Sequence, residues 1–153
     1  MTEFIFYRIS DDWRIHLPLL LERIYRDDKI VSIQCGSESM RDSLNEYLWT
    51  WKEDSFLPHG TDVGEEGMLA SFQPILLTVN SDNANASTVR FFIDKALMDM
   101  DDIGNYQKLV FIVDKNDQES REWASTNWRH LKDGGYKLIF HHNDSGRWKT
   151  LTF

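Results

Sequence analysis

The sequence predicts an α/β fold, a Rossmann-like open and mostly parallel twisted sheet with helices on both of its faces. Two strand–helix–strand successions, one at each end of the chain, indicate the crossover connections that parallel sheets require. The hydrophobic share of 41%, with nine Phe, six Trp and five Tyr residues, supplies apolar surface for a packed core. The length of 153 residues fits one domain spanning residues 1–153.

The first half of the chain begins with a β-rich apolar segment over 4–9, which predicts a strand. Leucines at helical spacing predict a helix from about 17 to 27. Its start is placed there because Pro18 suits the first turn of a helix and damages a helix interior. A second strand is expected over 29–35, where β-branched residues are frequent, and apolar residues three and four apart predict a second helix over 40–48.

The middle of the chain lacks this regular alternation. Residues 50–71 show no periodicity and contain one proline and three glycines, which predicts a long loop. Short apolar segments over 75–79 and 88–94 predict two strands. Because only a short polar segment separates them, we expect these two strands to form an antiparallel hairpin.

The last third returns to the strand–helix–strand order. The apolar segment 109–114 predicts a buried strand, and a helix follows over 118–132 with Gly134 and Gly135 at its end. A further core strand is expected over 136–140, and residues 148–153 predict an additional strand at the sheet edge.

The charge is divided unevenly along the chain. The whole sequence has 17 basic and 25 acidic residues, a net charge of −8. From position 121 onward there are six basic and three acidic residues, or +3, which leaves −11 for the first 120 positions. An acidic domain is a poor ligand for duplex DNA, because phosphate neutralisation supplies most non-specific affinity. The basic last third favours a small anionic partner instead.

Several kinds of site are disfavoured by residue content. The single Cys35 argues against a disulfide framework and a cysteine-rich zinc site. The five histidines show no HxxxH or HExxH spacing, so no metal site is expected. No segment approaches the roughly 18 apolar residues of a membrane helix, and the first residues do not resemble a secretory signal. A cytoplasmic protein without membrane contact is therefore expected.

A nucleotide cofactor is also not expected. The turns after the first two predicted strands lack both the G-x-G-x-x-G pattern and the phosphate-binding loop with lysine, and the first turn has two carboxylates, Asp11 and Asp12. An alternative remains on fold analogy alone. In that alternative the chain is a small α/β enzyme or nucleotide-binding protein that uses the crevice at the carboxyl ends of its strands.

The helix predicted in the last third has a basic stripe beside an apolar one. Four side chains at spacings of four, four and three share one face: Arg121, Ser125, Arg129 and Lys132. Trp128 lies where this face meets the apolar stripe. Cations around an aromatic pocket suit a peptide that ends in an apolar residue and a free carboxylate. The alternative is an ordinary amphipathic helix with a solvated basic face.

Aromatic residues are concentrated where the second helix ends. Trp49, Trp51 and Phe56 lie within eight residues of one another, more than a turn requires. Tryptophan in such a segment often anchors a protein interface. The alternative is that these rings cover the core.

These segments resemble the chi subunit of bacterial DNA polymerase III. Leu48–Trp49 followed by Ser-Phe-Leu-Pro-His over 55–59 is similar to that family's signature element. The opening Phe-Tyr-Arg over 6–8, the Pro-Ile-Leu-Leu over 74–77 and the segment 128–138 also match. The likeness spans about residues 4–140, and residues 143–153 form a C-terminal extension.

The resemblance implies a replication adaptor without catalytic activity, with a Rossmann-like fold and no cofactor. Its implied partners are the acidic C-terminal tail of single-stranded DNA-binding protein and a psi subunit, which docks on the clamp loader. A repair helicase of the XPD type is a further partner of some members.

The resemblance also assigns residues to these partners. It implies that Trp128 and Arg129 form the aromatic–basic step of the tail-binding pocket, with Arg121 and Lys132 as further basic positions. Ser125 departs from the family, which commonly has arginine there. The psi or helicase surface corresponds to Trp49 and Phe56.

Overall fold

The structure, a computed structural model, describes residues 2–144 and 146–153. Its strands and helices follow one another as β1 (Glu3–Ile9), α1 (Trp13–Arg26), β2 (Val31–Gln34), α2 (Glu38–Thr50), β3 (Gly60–Thr61), β4 (Ile75–Thr78), β5 (Val89–Phe92), β6 (Lys108–Asp114), α3 (Gln118–Asp133), β7 (Leu138–Asp144) and β8 (Arg147–Thr152). Two 3₁₀ segments, Gly64–Phe72 and Ile103–Asn105, lie in the connections.

The strands form one sheet in the order β3-β4-β2-β5-β6-β1-β7-β8. All neighbours are parallel except β8, which pairs with β7 in the antiparallel direction. The predicted α/β class with a mostly parallel sheet is therefore confirmed. None of the helices in the described part of the chain is long and apolar enough to cross a bilayer.

Alternation along β1 divides the core between the two faces of the sheet. Ile5 and Ile9 belong to the cluster that packs with the buried leucines of α1 and α2. Phe4 and Phe6 belong to the cluster that includes Leu131 of α3 on the opposite face. Because successive strand residues point to opposite faces, the apolar residues of β1 serve both clusters at once.

The antiparallel hairpin predicted for 75–79 and 88–94 is wrong. β4 and β5 lie on opposite sides of β2 and both run parallel to it. A parallel arrangement requires the chain to return along the sheet between the two strands. Residues 79–88 make this return without forming a helix.

A fully buried arginine holds this irregular crossover against the α3 side of the sheet. Arg90 of β5 donates hydrogen bonds to the carbonyl oxygens of Asn80 and Asp82 in the crossover. It also donates to Gln34 Oε1, at 3.1 Å and 2.9 Å, and to Ser32 Oγ at 3.0 Å. These bonds satisfy acceptors that a helix would otherwise satisfy internally. The spacing of two short apolar segments contains no sign of such a connection, so the hairpin was expected.

Helix α1 begins at Trp13, four residues before the predicted start. The Asp12 side chain caps it by accepting a hydrogen bond from the Arg14 backbone N–H at 3.0 Å. Pro18 therefore lies inside the helix and cannot donate to the carbonyl oxygen of Arg14. The hydroxyl of Tyr47 in α2 donates to that oxygen instead, at 2.9 Å. The contact with Tyr47 therefore offsets part of the free-energy cost of a proline inside the helix. That cost was the reason for predicting that α1 starts near residue 17.

The remaining predictions differ only in detail. The loop expected over 50–71 contains the two-residue strand β3 and most of the first 3₁₀ segment. The helix expected over 118–132 is confirmed as α3, and the edge strand expected over 148–153 is confirmed as β8. Single-domain organisation stays an expectation from length.

Candidate functional site

Helix α3 is fixed at both ends, which sets the orientation of its basic stripe. The Asp117 side chain accepts a hydrogen bond from the Glu119 N–H at 3.1 Å, and the Gly134 N–H donates to the carbonyl oxygen of His130 at 3.1 Å. Leu131 of α3 is fully buried between the helix and the sheet. The side chains on the next face therefore lie at the boundary between helix and sheet.

A groove of about 370 Å³ runs along this boundary, between α3 and a floor made by β1, β6 and β7. Its lining residues are Phe6, Arg8, Val113, Arg121, Ala124, Ser125, Trp128 and Phe140. The groove thus combines an apolar floor with two arginines at its sides.

Trp128 is the half-buried aromatic residue at the centre of this region. Its ring is edge-on to Phe6 at 5.2 Å, to Phe140 at 5.7 Å and to Phe153 at 5.1 Å, measured between ring centroids. These contacts hold one face of the indole against the sheet, while part of the residue stays accessible in the groove. A fixed, partly exposed indole can bind an apolar side chain with little loss of conformational entropy.

The three predicted basic residues, Arg121, Arg129 and Lys132, lie at three neighbouring positions on and around the groove. Arg121 lines the groove and donates a hydrogen bond to the carbonyl oxygen of Lys115. Arg129 lies beside Arg121 on the outer surface of α3, with its Nε 3.4 Å from the Ser125 carbonyl oxygen. Lys132 lies on the far side of Trp128, with Nζ 5.1 Å from the centroid of the Phe153 ring.

Arg8 is a groove residue that the sequence reasoning missed. It follows Phe4 and Phe6 on the α3 face of β1, where the pattern of alternation places a charged residue at the end of an apolar row. That break in the alternation is the signal from which Arg8 could have been found. Ser125 also lines the groove.

The basic residues around the groove have no acidic partners. Among residues 2–144 and 146–153, no salt bridge is formed by any of the four, which are Arg8, Arg121, Arg129 and Lys132. In a chain of net charge −8 this is a local excess of positive charge. Such a surface attracts a carboxylate-bearing ligand over a distance of about a Debye length, roughly 10 Å at 0.1 M salt.

The second candidate surface is an exposed aromatic pair at the end of α2. Trp49 is 46% exposed and Phe56 is 68% exposed, and their ring centroids are 5.7 Å apart. His59 is buried beside them, 4.1 Å from the Trp49 ring between centroids, and Leu57 is 1% exposed. Trp51 packs against the core instead. The sequence left two roles open for these rings, an interface anchor or a cover for the core. Trp51 covers the core, whereas Trp49 faces solvent.

The features that raise the question of an enzyme have structural explanations. Burial raises the pKa of the Cys35 thiol to about 12, which keeps it protonated and unreactive at neutral pH. At the turn after β2, Asp94 lies close to Gly36 and its carboxylate accepts a hydrogen bond from Ser37 Oγ at 3.0 Å. A carboxylate in this position repels a phosphate.

A small concavity lies on the α3 face of the sheet, beside the end of β2. The concavity beside Gln34 and Arg90 has a volume of about 10 Å³, space for a single water. No group of three or more potential metal ligands is present in the part of the chain that the structure describes.

Comparison with solved structures finds a likeness to the C-terminal domain of the DEAD-box protein Dbp5. That match has a TM-score of 0.58 and 13% identity, and it covers 93% of this chain and 90% of the other. At this identity the likeness shows the fold alone. Among curated proteins, none is significantly similar in sequence.

Comparison with protein families gives a more specific result. Residues 1–139 match the family described as DNA polymerase III chi subunit, HolC. The match includes the aromatic pair after α2, the whole of α3 and the start of β7. It covers most of the 153 residues, and β8 lies beyond it. The chain therefore belongs to the DNA polymerase III chi subunit family.

Proposed function

We propose that this accessory subunit of DNA polymerase III is a non-catalytic cytoplasmic adaptor. Its α3 groove binds the acidic C-terminal tail of single-stranded DNA-binding protein. A psi-type subunit binds at the aromatic pair and links the chain to the clamp loader. The observation that carries the proposal is the set of cations around the half-exposed Trp128 that form no salt bridge within the described part of the chain.

The chemistry of the groove matches that of the tail. An apolar terminal residue packs against Trp128 and Phe140, and its carboxylate is within reach of arginine side chains that form no salt bridge among the described residues. Charge-assisted hydrogen bonds contribute roughly 1.5–3 kcal/mol each. We expect an affinity in the micromolar range, about −8 kcal/mol. An affinity of this size suits a reversible tether.

A titration with paired variants tests the tail site. A peptide of aspartates ending in phenylalanine, with a free carboxylate, is titrated calorimetrically into the purified chain. Arg121→Ala and Arg129→Ala are each expected to weaken binding by on the order of tenfold, the loss of one charge-assisted bond. Arg26→Ala, on the opposite face of the sheet, removes the same charge from an exposed position and serves as the control. Equal affinities in all four proteins, or no binding by wild type, would refute the tail site.

The proposal for the psi-type subunit depends on the aromatic pair of Trp49 and Phe56. Two neighbouring exposed rings on an ordered support are typical of an interface anchor. Ser55 Oγ donates to Glu22 Oε2 at 2.8 Å, and Leu57 is buried, so both sequence neighbours of Phe56 are attached to the rest of the fold. A repair helicase of the XPD type would bind the same pair and compete with the psi-type subunit.

Binding of a purified psi-type subunit tests this surface. Phe56→Ala is expected to reduce affinity by at least tenfold, as truncation of an interface anchor does. Phe72→Ala is the matched control, because Phe72 is an 81% exposed phenylalanine on the first 3₁₀ segment and is not a member of the pair. If both variants bind as wild type does, the interface lies elsewhere. If both lose affinity equally, the effect is not specific to the pair.

A further inference from the structure

Strand β8 adds a second surface beside the α3 groove, in a part of the chain beyond the family match at 1–139. In the antiparallel pairing with β7, Leu151 lies opposite Phe140 and Lys149 lies opposite His142. Directly opposed residues of two strands point to the same face of the sheet. Lys149 and Leu151 therefore lie on the same face of the sheet as α3.

This surface is continuous with the floor of the groove. Phe140 lines the groove, and its ring centroid is 5.6 Å from that of His142 in the same row of β7. Leu151, opposite Phe140, is 47% exposed. Every residue of β8 is exposed, so nothing in the described part of the chain covers the path from Phe140 to Lys149. A peptide seated in the groove can continue across β7 onto β8.

The charge of β8 fits an acidic ligand. Arg147 and Lys149 are exposed, and neither forms a salt bridge among the described residues. Arg147 has Asp144 directly opposite on β7, which partly compensates its charge. Lys149 faces His142 and has no such compensation. Lys149 is therefore the residue of β8 most able to attract a carboxylate.

We infer that β8 is the second half of the tail-binding site, and that Lys149 contacts acidic residues upstream of the apolar end of the tail. The inference rests on the proposed function. A residue diagonally opposite on a neighbouring strand lies roughly 7–8 Å away. An extended peptide advances about 3.4 Å per residue. The carboxylates that Lys149 contacts are therefore about two to three residues before the side chain that packs against Phe140.

Two variants of β8 with the same change in net charge test this inference. Lys149→Gln removes one positive charge on the groove side. Thr152→Glu adds one negative charge on the opposite face of the strand, since Thr152 pairs with Ile139. Each is titrated with the aspartate-rich peptide ending in phenylalanine, and with a second peptide whose aspartates two and three residues before the end are asparagines. Lys149→Gln is expected to weaken binding of the first peptide by about two- to fivefold, the range of an exposed ion pair.

The pattern of losses decides between the possibilities. The inference predicts that Thr152→Glu binds as wild type does and that Lys149→Gln has no effect on the asparagine peptide. Equal affinities of wild type and Lys149→Gln for the first peptide would overturn the role of β8 while leaving the groove intact. Equal weakening by both variants would also overturn it, since net charge alone would then explain the loss. If wild type binds neither peptide, or Arg121→Ala and Arg129→Ala change nothing, the proposed function fails as well.

Discussion

Replacing Arg90 with methionine removes the group that holds the crossover 79–88 to the sheet. The guanidinium is 1% exposed and donates to Gln34, Ser32 and two crossover carbonyls. Among the described residues it has no carboxylate partner within salt-bridge distance. Burial lowers the pKa of Arg90, which reflects the desolvation cost of its charge. Methionine avoids that cost and fills part of the same volume, but it leaves the acceptors without a donor.

The expected loss of stability follows from those acceptors. Gln34 Oε1 and the carbonyl oxygens of Asn80 and Asp82 each lose a donor, at about 1 kcal/mol or more apiece. The total is about 3 kcal/mol, a large part of the 5–15 kcal/mol that stabilises a typical domain. For a domain of this size, the same loss lowers the melting temperature by roughly 6–12 °C.

Urea unfolding followed by tryptophan fluorescence measures this change in the free energy of unfolding. Arg26→Met is the matched control, because Arg26 is exposed and surface substitutions usually change stability by less than about 0.5 kcal/mol. Arg90→Lys retains the charge without the planar set of donors, and is expected to fall between wild type and Arg90→Met. If Arg90→Met is as stable as Arg26→Met, the crossover does not depend on the guanidinium and the reasoning is wrong.

Three further predictions concern the packing of the sheet. Tyr47→Phe removes the hydroxyl that donates to the Arg14 carbonyl oxygen, and is expected to lower the free energy of unfolding in urea by about 0.5–1.5 kcal/mol. An unchanged urea midpoint would contradict this contact. Gly36→Ala would bring a Cβ to 1.7 Å from the Asp94 carbonyl oxygen, so a loss of about 1–3 kcal/mol is expected, and wild-type stability would show that the turn relaxes freely. The Cys35 thiol, with its pKa raised to about 12, is expected to resist iodoacetamide at neutral pH until urea unfolds the chain; rapid labelling of the native protein would disprove its burial.

The fold was largely predictable because each long element has its own periodic pattern. The residues of β6 between Lys108 and Asp114 are all apolar, and α3 shows the spacing of an amphipathic helix. The error at β4 and β5 arose because each of these strands pairs with β2, and local patterns do not show which distant strand a segment pairs with. The start of α1 was predicted four residues too late because Tyr47, which replaces the donor that Pro18 lacks, is distant in sequence.

The candidate site was predictable only along the helix. The spacing of Arg121, Trp128 and Arg129 follows from helical geometry and needs no tertiary information. The residues on the opposite side of the groove could not be predicted in this way. Arg8 and Phe140 belong to strands whose order in the sheet was unknown from the sequence. The approach of Phe153 to Trp128 depends on the pairing of β8 with β7, which sequence alone predicted only as an edge strand.

The positions of the two proposed surfaces bear on whether one chain can hold two partners together. The aromatic pair lies at the end of α2, which packs with α1 on one face of the sheet, whereas the groove lies beneath α3 on the other. Ligands on opposite faces of a sheet do not collide. Binding at one surface changes affinity at the other only if it biases a conformation that both share. The sheet between them has a well-packed core on each face, so the two binding events are expected to be independent. An adaptor that links two assemblies needs this independence. If binding of one partner lowered the affinity for the other, the two assemblies would not stay linked.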